Sequence, residues 1–343
     1  MEKRDNNMDF LRILATSMVI CQHVLAIYIH RLDNNLKGYY EVASIFMSIS
    51  VYAVPIFVML SGSFLLSDLS NYDYGYFYKK TAYKIIKPTI IWSLLYVMYT
   101  SLKNYIAYGK VINKVIYNPI INLLQGKPYT HLWYLYMIIG LYLITPILIR
   151  IKNEIGEDKF NKLGVIFIII GVIINLTCKL YWILWFTEYI GYFILGYTLR
   201  SKREKFKGNF KINIVVIISC SIIMFLLNIY LNKHSYNNEL YFYGNLSVFN
   251  IIGSIALFNL FLKIRTFKRE FYNISKYSFT IYLIHQGIID FLGIIKEKII
   301  LTKFNPLWFI PLMSIVVFLL SYIFSYCIYR IKILKRNRII NLN

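Results

Sequence analysis

Two polar residues interrupt the first apolar run of the chain, DFLRILATSMVICQHVLAIYI over residues 9–29: Arg12 and, eleven positions later, His23. A guanidinium holds anionic oxygens through paired hydrogen bonds. An imidazole, with an ordinary pKa near neutrality, takes and returns protons at working pH. In a helix, eleven steps of about 100° overshoot three full turns by only about 20°, so both side chains share one face, roughly 16 Å apart along the axis. Ala15 and Val19 are small and lie near that line, whereas Ser17 and Gln22 lie off it. A slot between the two polar groups is one reading. The other is structural: Arg12 extends its head group to the interface or pairs with Asp9, and His23 is a satisfied core residue.

The elements that carry these residues are membrane spans. Of the 343 residues, 58% are hydrophobic and only 16% are charged, against about a quarter charged in a soluble domain. The apolar residues arrive in ten blocks suited to crossing a bilayer, each crossing needing roughly 20 residues. They cover about 8–30, 43–66, 84–102, 131–149, 163–180, 182–200, 211–231, 246–263, 277–295 and 307–329. The expected fold is all-α and polytopic, with about ten transmembrane helices in a single membrane domain over 1–343.

A net charge of +22 raises nucleic acid as a partner, but its distribution argues for a membrane. With the N-terminus inside, segments on the cytoplasmic side hold 26 of the 38 Lys and Arg residues and the outer loops hold 11. That bias places both termini in the cytoplasm. The basic stretch RSKREKFKGNFK (200–211) is expected to face anionic head groups, and no nucleic-acid role is assigned. The first apolar run lacks a small-residue cleavage site and is read as a span, not a signal peptide. Cys21, Cys178, Cys220 and Cys327 fall in expected helices without metal-type spacing, so buried free thiols and no metal site are expected. No Gly-rich phosphate loop, zinc motif or GxSxG elbow is present.

Ionisable residues are costly inside a bilayer and mark function by default. Those within the expected spans are Asp9, Arg12, His23, Glu188, His285 and Asp290, with His131 near a helix end. Pro55, in the second span, frees a carbonyl one turn earlier that a neighbouring helix or a cavity must satisfy, and Ser61–Gly62 permits close helix approach.

Five strings, in order, carry a resemblance. Arg12, ten residues and His23 follow NNMDFLR; VPIFVMLSGSFLL (54–66) ends in Ser-Gly before its last apolar residues; HLWYLYMIIGLYLITPIL (131–148) follows; then YIGYFILGYTL (189–199) and SFTIYLIHQGIIDFL (278–292). Together they resemble the membrane-bound acyltransferase family 3, whose members modify cell-surface sugars, over about residues 6–330. Two departures stand out. In FYKKTAYKIIKP (77–88) many relatives have two arginines where Thr81 and Lys84 stand here. Lys79, Lys80 and Lys87 can supply charge there but not a bidentate fork. Some relatives also append a secreted hydrolase-like domain. This chain stops, so the membrane domain is expected to complete the transfer or hand its product to a separate glycan-synthesis protein.

The resemblance implies an integral membrane O-acyltransferase, in its simplest form an O-acetyltransferase. It would move an acyl group from cytoplasmic acyl-CoA, such as acetyl-CoA, to a hydroxyl of a surface polysaccharide or lipid-linked glycan. Arg12, Lys79, Lys80, Lys84 and Lys87 would bind the CoA phosphates, and His23 would act as general base, with a covalent acyl-histidine left open. Glu188 would orient His23 or bind acceptor hydroxyls, or serve as an interfacial carboxylate. His131 and Trp133, beside Tyr134, belong to acceptor binding or to an interface belt. His285 serves acceptor binding or interhelical hydrogen bonding, and Asp290 is structural. The expected location is a bacterial plasma membrane, in keeping with Asn, Ile, Lys and Tyr usage typical of an AT-rich genome. A glycan or small-solute transporter is the competing class, and an inert scaffold a third. The intact Arg12–His23 pair favours chemistry over the scaffold, and no inverted repeat is evident to favour transport.

Overall fold

The structure, a computed structural model, describes residues 5–30, 38–68, 70, 73–109, 111–178, 180–203, 209–234, 241–264, 271–294 and 304–340. Parts of the basic stretches 200–211 and 263–276, and the side chains of the terminal basic run beyond Ile331, lie outside the described residues. Every regular element among the described residues is helical, as the hydropathy pattern predicts. By Cα proximity the chain forms two compact units, residues 1–57 with 208–343, and residues 58–207.

In the first unit, α1 (Asn6–His30) is central. It packs against α2 (Tyr39–Ser50), α11 (Val248–Lys263), α12 (Tyr272–Ser275), α13 (Ser278–Ile294) and the last helix, α14 (Pro306–Ile340). Its sequence is apolar around most of its circumference, which suits a helix enclosed on several sides. Its start is pinned by Asn7, whose Nδ2 donates to the Phe261 and Ile264 carbonyls at 3.1 and 3.0 Å. These carbonyls belong to the last turn of α11 and its C-cap, where helix geometry leaves acceptors without intrahelical donors.

The second expected span is two helices. It breaks at Val51–Tyr52, and α3 (Ala53–Leu65) resumes with Pro55 in its first turn. Proline lacks an N–H and leaves the carbonyl four residues earlier, that of Val51, without its helical donor. Asn250 Nδ2 from α11 supplies a donor at 3.3 Å, and Gln22 Nε2 from α1 donates to the neighbouring Ser50 carbonyl. The acceptor expected from Pro55 is thus met by side chains of neighbouring helices.

The second unit contains the rest of α3, then α4 (Tyr74–Thr81), α5 (Lys87–Tyr108), α6 (Asn118–Leu124), α7 (Trp133–Ile155), α8 (Glu157–Thr177) and α9 (Ile190–Ser201). Two widened, π-helical turns occur, at Ala82–Ile86 and Asn113–Tyr117, and each is followed two residues later by a proline, Pro88 or Pro119. In both, the proline ring clashes with the carbonyl one turn back, and an extra residue in the preceding turn relieves it. The end of α3 is held by two cations. Lys152 Nζ donates to the Leu66 carbonyl at 2.7 Å, and Arg200 Nη1 to the Ser63 carbonyl at 3.1 Å. Positive charge there complements the negative end of the helix dipole. Gly62 makes the close approach expected of it: a Cβ at that position would overlap the Phe193 carbonyl of α9.

Among the described residues, seven helical segments are long and apolar enough to cross a bilayer: Asn6–Ala26, Tyr39–Leu65, Tyr74–Tyr108, Trp133–Ile155, Glu157–Thr177, Phe210–Lys233 (α10) and Pro306–Ile331. The other three expected spans are helical but shorter. Val248–Lys263 has 16 residues, Ser278–Ile294 has 17, and the sixth is an eight-residue 3-10 segment, Trp182–Tyr189, followed by the 12 residues of α9. Outward-facing Met98, Ile106, Ile169, Val215 and Leu312 are all more than half exposed, a distribution that suits lipid and not water. The thiols depart from the expected common burial. Cys220 is buried and Cys21 half-buried, but Cys327 is exposed on α14 and Cys178 is exposed just past the end of α8. Hydropathy places a cysteine in a span without saying which face it occupies.

Candidate active site

Residues of chemical interest gather at two places, one in each unit. In the first, α13 lies along α1 and sets the His285 ring 5.1 Å from that of His23, centre to centre and tilted by 46°. Ile20, Val24, Tyr277, Ile281, Ile288, Ile289 and Val317 form a buried hydrophobic cluster where α1, α13 and α14 pack. His23 stands between Ile20 and Val24 in sequence, so the residue with chemistry occupies the face of α1 that packs against α13. His285 is fully buried, and its Nδ1 lies 2.6 Å from the Tyr282 carbonyl oxygen, one turn earlier on α13. Asp290 accepts from Gln286 Nε2 at 3.4 Å on the same helix, a structural use.

Arg12 sits three turns before His23. Its Nη1 lies 3.3 Å from Asp9 Oδ1, the pairing weighed in the structural reading, and its side chain is 29% exposed. Asp9 is buried and also accepts from Ser275 Oγ at 2.7 Å. The carboxylate is therefore anchored between α1 and α12, and it orients the half-exposed guanidinium. A guanidinium carries five N–H donors in a planar fork, a geometry that suits phosphate oxygens.

The second place is a cavity of about 740 Å³ in the other unit, within the size range of small-molecule sites. Four aromatic side chains line it: Tyr129, Trp133, Trp185 and Tyr189. Its polar lining includes Lys127, Asn175 and Glu188. Asn175 Nδ2 donates to Glu188 Oε2 at 3.2 Å, and the Lys127 ammonium lies over the Trp185 ring, 5.0 Å from its centre. Trp133 sits 6.3 Å from both Trp185 and Tyr189.

Glu188 occupies the penultimate position of the 3-10 segment Trp182–Tyr189, not the α-helix expected there. Gly171 on α8 explains how it is held: a Cβ there would collide with the Glu188 carbonyl, so a glycine lets the two backbones meet. Asn175, one turn further along α8, then reaches the carboxylate.

The expected site residues thus distribute as follows. His23 and His285 come together, as do Glu188 and Trp133. His131 is buried in the turn just before α7, with its ring 5.1 Å from Tyr96 and 6.1 Å from Tyr129, and it supports the cavity wall without lining it. Lys79, Lys84 and Lys87 are exposed along α4 and the start of α5, around the first π-helical turn. Lys80 is half-buried and lies 3.8 Å from Asp68. Asn175, Lys127, Trp185 and Tyr189 escaped the sequence reading. Asn175 carried a usable signal, an amide near the end of the apolar run VIFIIIGVIINLT.

A chain whose regular elements among the described residues are all helical, with apolar spans, a buried imidazole beside a partly accessible one and a separate aromatic cavity, belongs to the class of multi-pass membrane proteins. A family model described as an acyltransferase domain, that of acyltransferase family 3, matches residues 5–326, and the chain is a member of that family. The resemblance drawn from the five sequence strings is borne out, and the protein is a membrane acyltransferase. Neither the curated proteins nor the solved structures contain a match to it.

Proposed function

We propose that this acyltransferase moves an acyl group, in its simplest form acetyl, from cytoplasmic acyl-CoA to a hydroxyl of a surface polysaccharide or lipid-linked glycan. Its setting is a bacterial plasma membrane with both termini in the cytoplasm. The observation that carries the reading is His23, an imidazole that keeps accessible surface on a membrane-spanning helix of a chain in an acyltransferase family. His23 takes the proton of the acceptor hydroxyl, and the resulting oxygen nucleophile attacks the thioester carbonyl. Arg12, oriented by Asp9, and Lys79, Lys80, Lys84 and Lys87 hold the CoA phosphates; the lysines act as point charges.

Glu188, Asn175 and the aromatic walls around Trp133 form the acceptor-recognition cavity. Sugar rings present apolar C–H faces to aromatic side chains and hydroxyls to carboxylates and amides, and this lining offers both. His131 props the wall behind Tyr129. Separate glycan-synthesis proteins supply the acceptor or receive the product.

The test is mass spectrometry of surface glycans from cells with and without the gene. A mass increment matching the transferred acyl group should be present only with the gene. Identical glycan masses in both strains would remove the glycan acceptor. Solute movement in vesicles without acyl-CoA would favour transport instead.

A further inference from the structure

One arrangement recurs on α1 and α13. On α1, Arg12 lies near the end that the charge bias places in the cytoplasm, and His23 lies three turns deeper. On α13, which opens at Ser278, His285 lies about two turns in, and Lys276 stands just before the helix. The two helical ends are tied at the mouth, where Ser275 Oγ donates to Asp9 Oδ1 at 2.7 Å. Arg12 Nη1 reaches that same oxygen at 3.3 Å, and Lys276 follows Ser275 in the chain, so a second cation adjoins the one on α1. Lys276 is half-buried, and its ammonium lies over three tyrosine rings: 4.9 Å from the centre of Tyr277, 5.4 Å from Tyr329 and 5.5 Å from Tyr272. Tyr277 is buried and meets Tyr322, Tyr326 and Tyr329 of α14 edge-on, so the ring nearest the ammonium is itself held. A ring face attracts a cation without taking up its N–H donors. The Asn273 amide oxygen, at 3.5 Å, is neutral, and among the described residues no carboxylate pairs with Lys276. The result is a fixed ammonium with donors left for an anion.

We propose that Lys276 is a donor-binding residue: with Arg12 it holds the phosphate end of acyl-CoA at the cytoplasmic mouth of the α1–α13 contact. The proposal rests on the acyl-transfer reading above. The donor divides as the helices do. Its phosphates carry all its negative charge and meet the two cations, the guanidinium through paired N–H groups and the ammonium as a point charge. Its pantetheine arm is uncharged and carries the thioester away from the mouth, toward the imidazole of His23. Anchoring to lipid head groups is the other use of a lysine among tyrosines at a membrane interface. An anchoring lysine extends its ammonium outward, whereas that of Lys276 is drawn over a buried ring and adjoins the Ser275–Asp9–Arg12 contact.

The test compares two radiolabelled donors in membrane vesicles that carry the full chain, with the vesicles' own glycans as acceptor. One is acetyl-CoA; the other is S-acetylpantetheine, which keeps the thioester and the arm but has no phosphate. Lys276→Gln should raise the acetyl-CoA KM about tenfold at unchanged turnover, and leave kcat/KM for S-acetylpantetheine as it was. Lys276→Arg, which keeps the charge over the rings, should recover most of the loss. A lysine that only packs or anchors would shift both donors alike or neither, and either result overturns the proposal. Should S-acetylpantetheine react too slowly to follow, acetyl-CoA alone decides: a raised KM restored by Lys276→Arg supports the role, and an unchanged KM overturns it. If Lys276→Gln does not accumulate in the membrane, Lys276→Met, with an unbranched apolar side chain, takes its place. A wild-type chain that transfers acetyl from acetyl-CoA, beside a Lys276→Gln variant with the same KM, overturns this role alone. A wild-type chain that transfers from neither donor removes the acyl-CoA reading, and this role with it.

Discussion

The histidine pair and the aromatic cavity are built on opposite plans. The pair lies among Ile20, Val24, Ile281 and Ile288, and its enclosed member is bonded to its own helix backbone. The cavity is walled by Tyr129, Trp133, Trp185 and Tyr189, with a carboxylate, an amide and an ammonium in its lining. Apolar surroundings offer few contacts for binding but strengthen each electrostatic interaction within them, which suits proton transfer. A roomy site with several polar groups and flat rings suits recognition. Under the proposed function, turnover belongs to the first region and acceptor selection to the second.

Substitutions should separate the two along that line. The largest effect is expected at Gly171, where any side chain meets the Glu188 carbonyl. Gly171→Leu should displace the 3-10 segment and abolish glycan acylation, while radiolabelled acetyl-CoA still binds to the membrane-inserted protein. Loss of donor binding in this variant would blur the division. Glu188→Gln is the milder probe of the same cavity. It should raise the KM for the glycan identified by mass spectrometry by about 10–100-fold, the equivalent of roughly 1.5–3 kcal/mol for a hydrogen bond to a charged group, with the acetyl-CoA KM unchanged. A fall in turnover at constant KM would move Glu188 to the chemical step.

Arg12→Ala should weaken acetyl-CoA binding about tenfold, less than the full range because the guanidinium is 29% exposed and screened. Equilibrium binding to vesicles measures it, and unchanged affinity would return Arg12 to a partner of Asp9 alone. The smallest functional effect is expected at Asn250. Asn250→Leu leaves the Val51 carbonyl without its side-chain donor and should cost about 1–3 kcal/mol of stability. Thermal denaturation in detergent should show the loss, with turnover of the remaining folded protein near normal.

How much of this was legible beforehand depended on whether the information was local. The shared face of Arg12 and His23 follows from helix geometry alone, and so does the Asp9 pairing at three residues' spacing. Pro55 announced that a carbonyl needed a donor. That Asn250 and Gln22 would supply donors beside it, from 199 positions later and 28 earlier, depends on which helices pack together. His285 presented the same difficulty: its type was visible in SFTIYLIHQGIIDFL, but its neighbour was not. Lys152 and Arg200 read as loop-side positive charge, yet both cap the end of α3. Charge counting locates cations along the chain and is silent on the acceptors they meet. Glu188 was found for its charge, whereas the 3-10 geometry that presents it depends on contact with Gly171 and left no periodicity to read.

The central claim is that His23 performs the proton transfer, and His23→Ala addresses it most directly. Vesicles carrying the wild-type chain or this variant, matched for the amount of protein in the membrane, should be given radiolabelled acetyl-CoA and their label in glycan followed with time. The account predicts that the rate falls by at least about 10²-fold, the lower end of what general-base removal costs, with acetyl-CoA binding retained. Label entering glycan at the wild-type rate would contradict it.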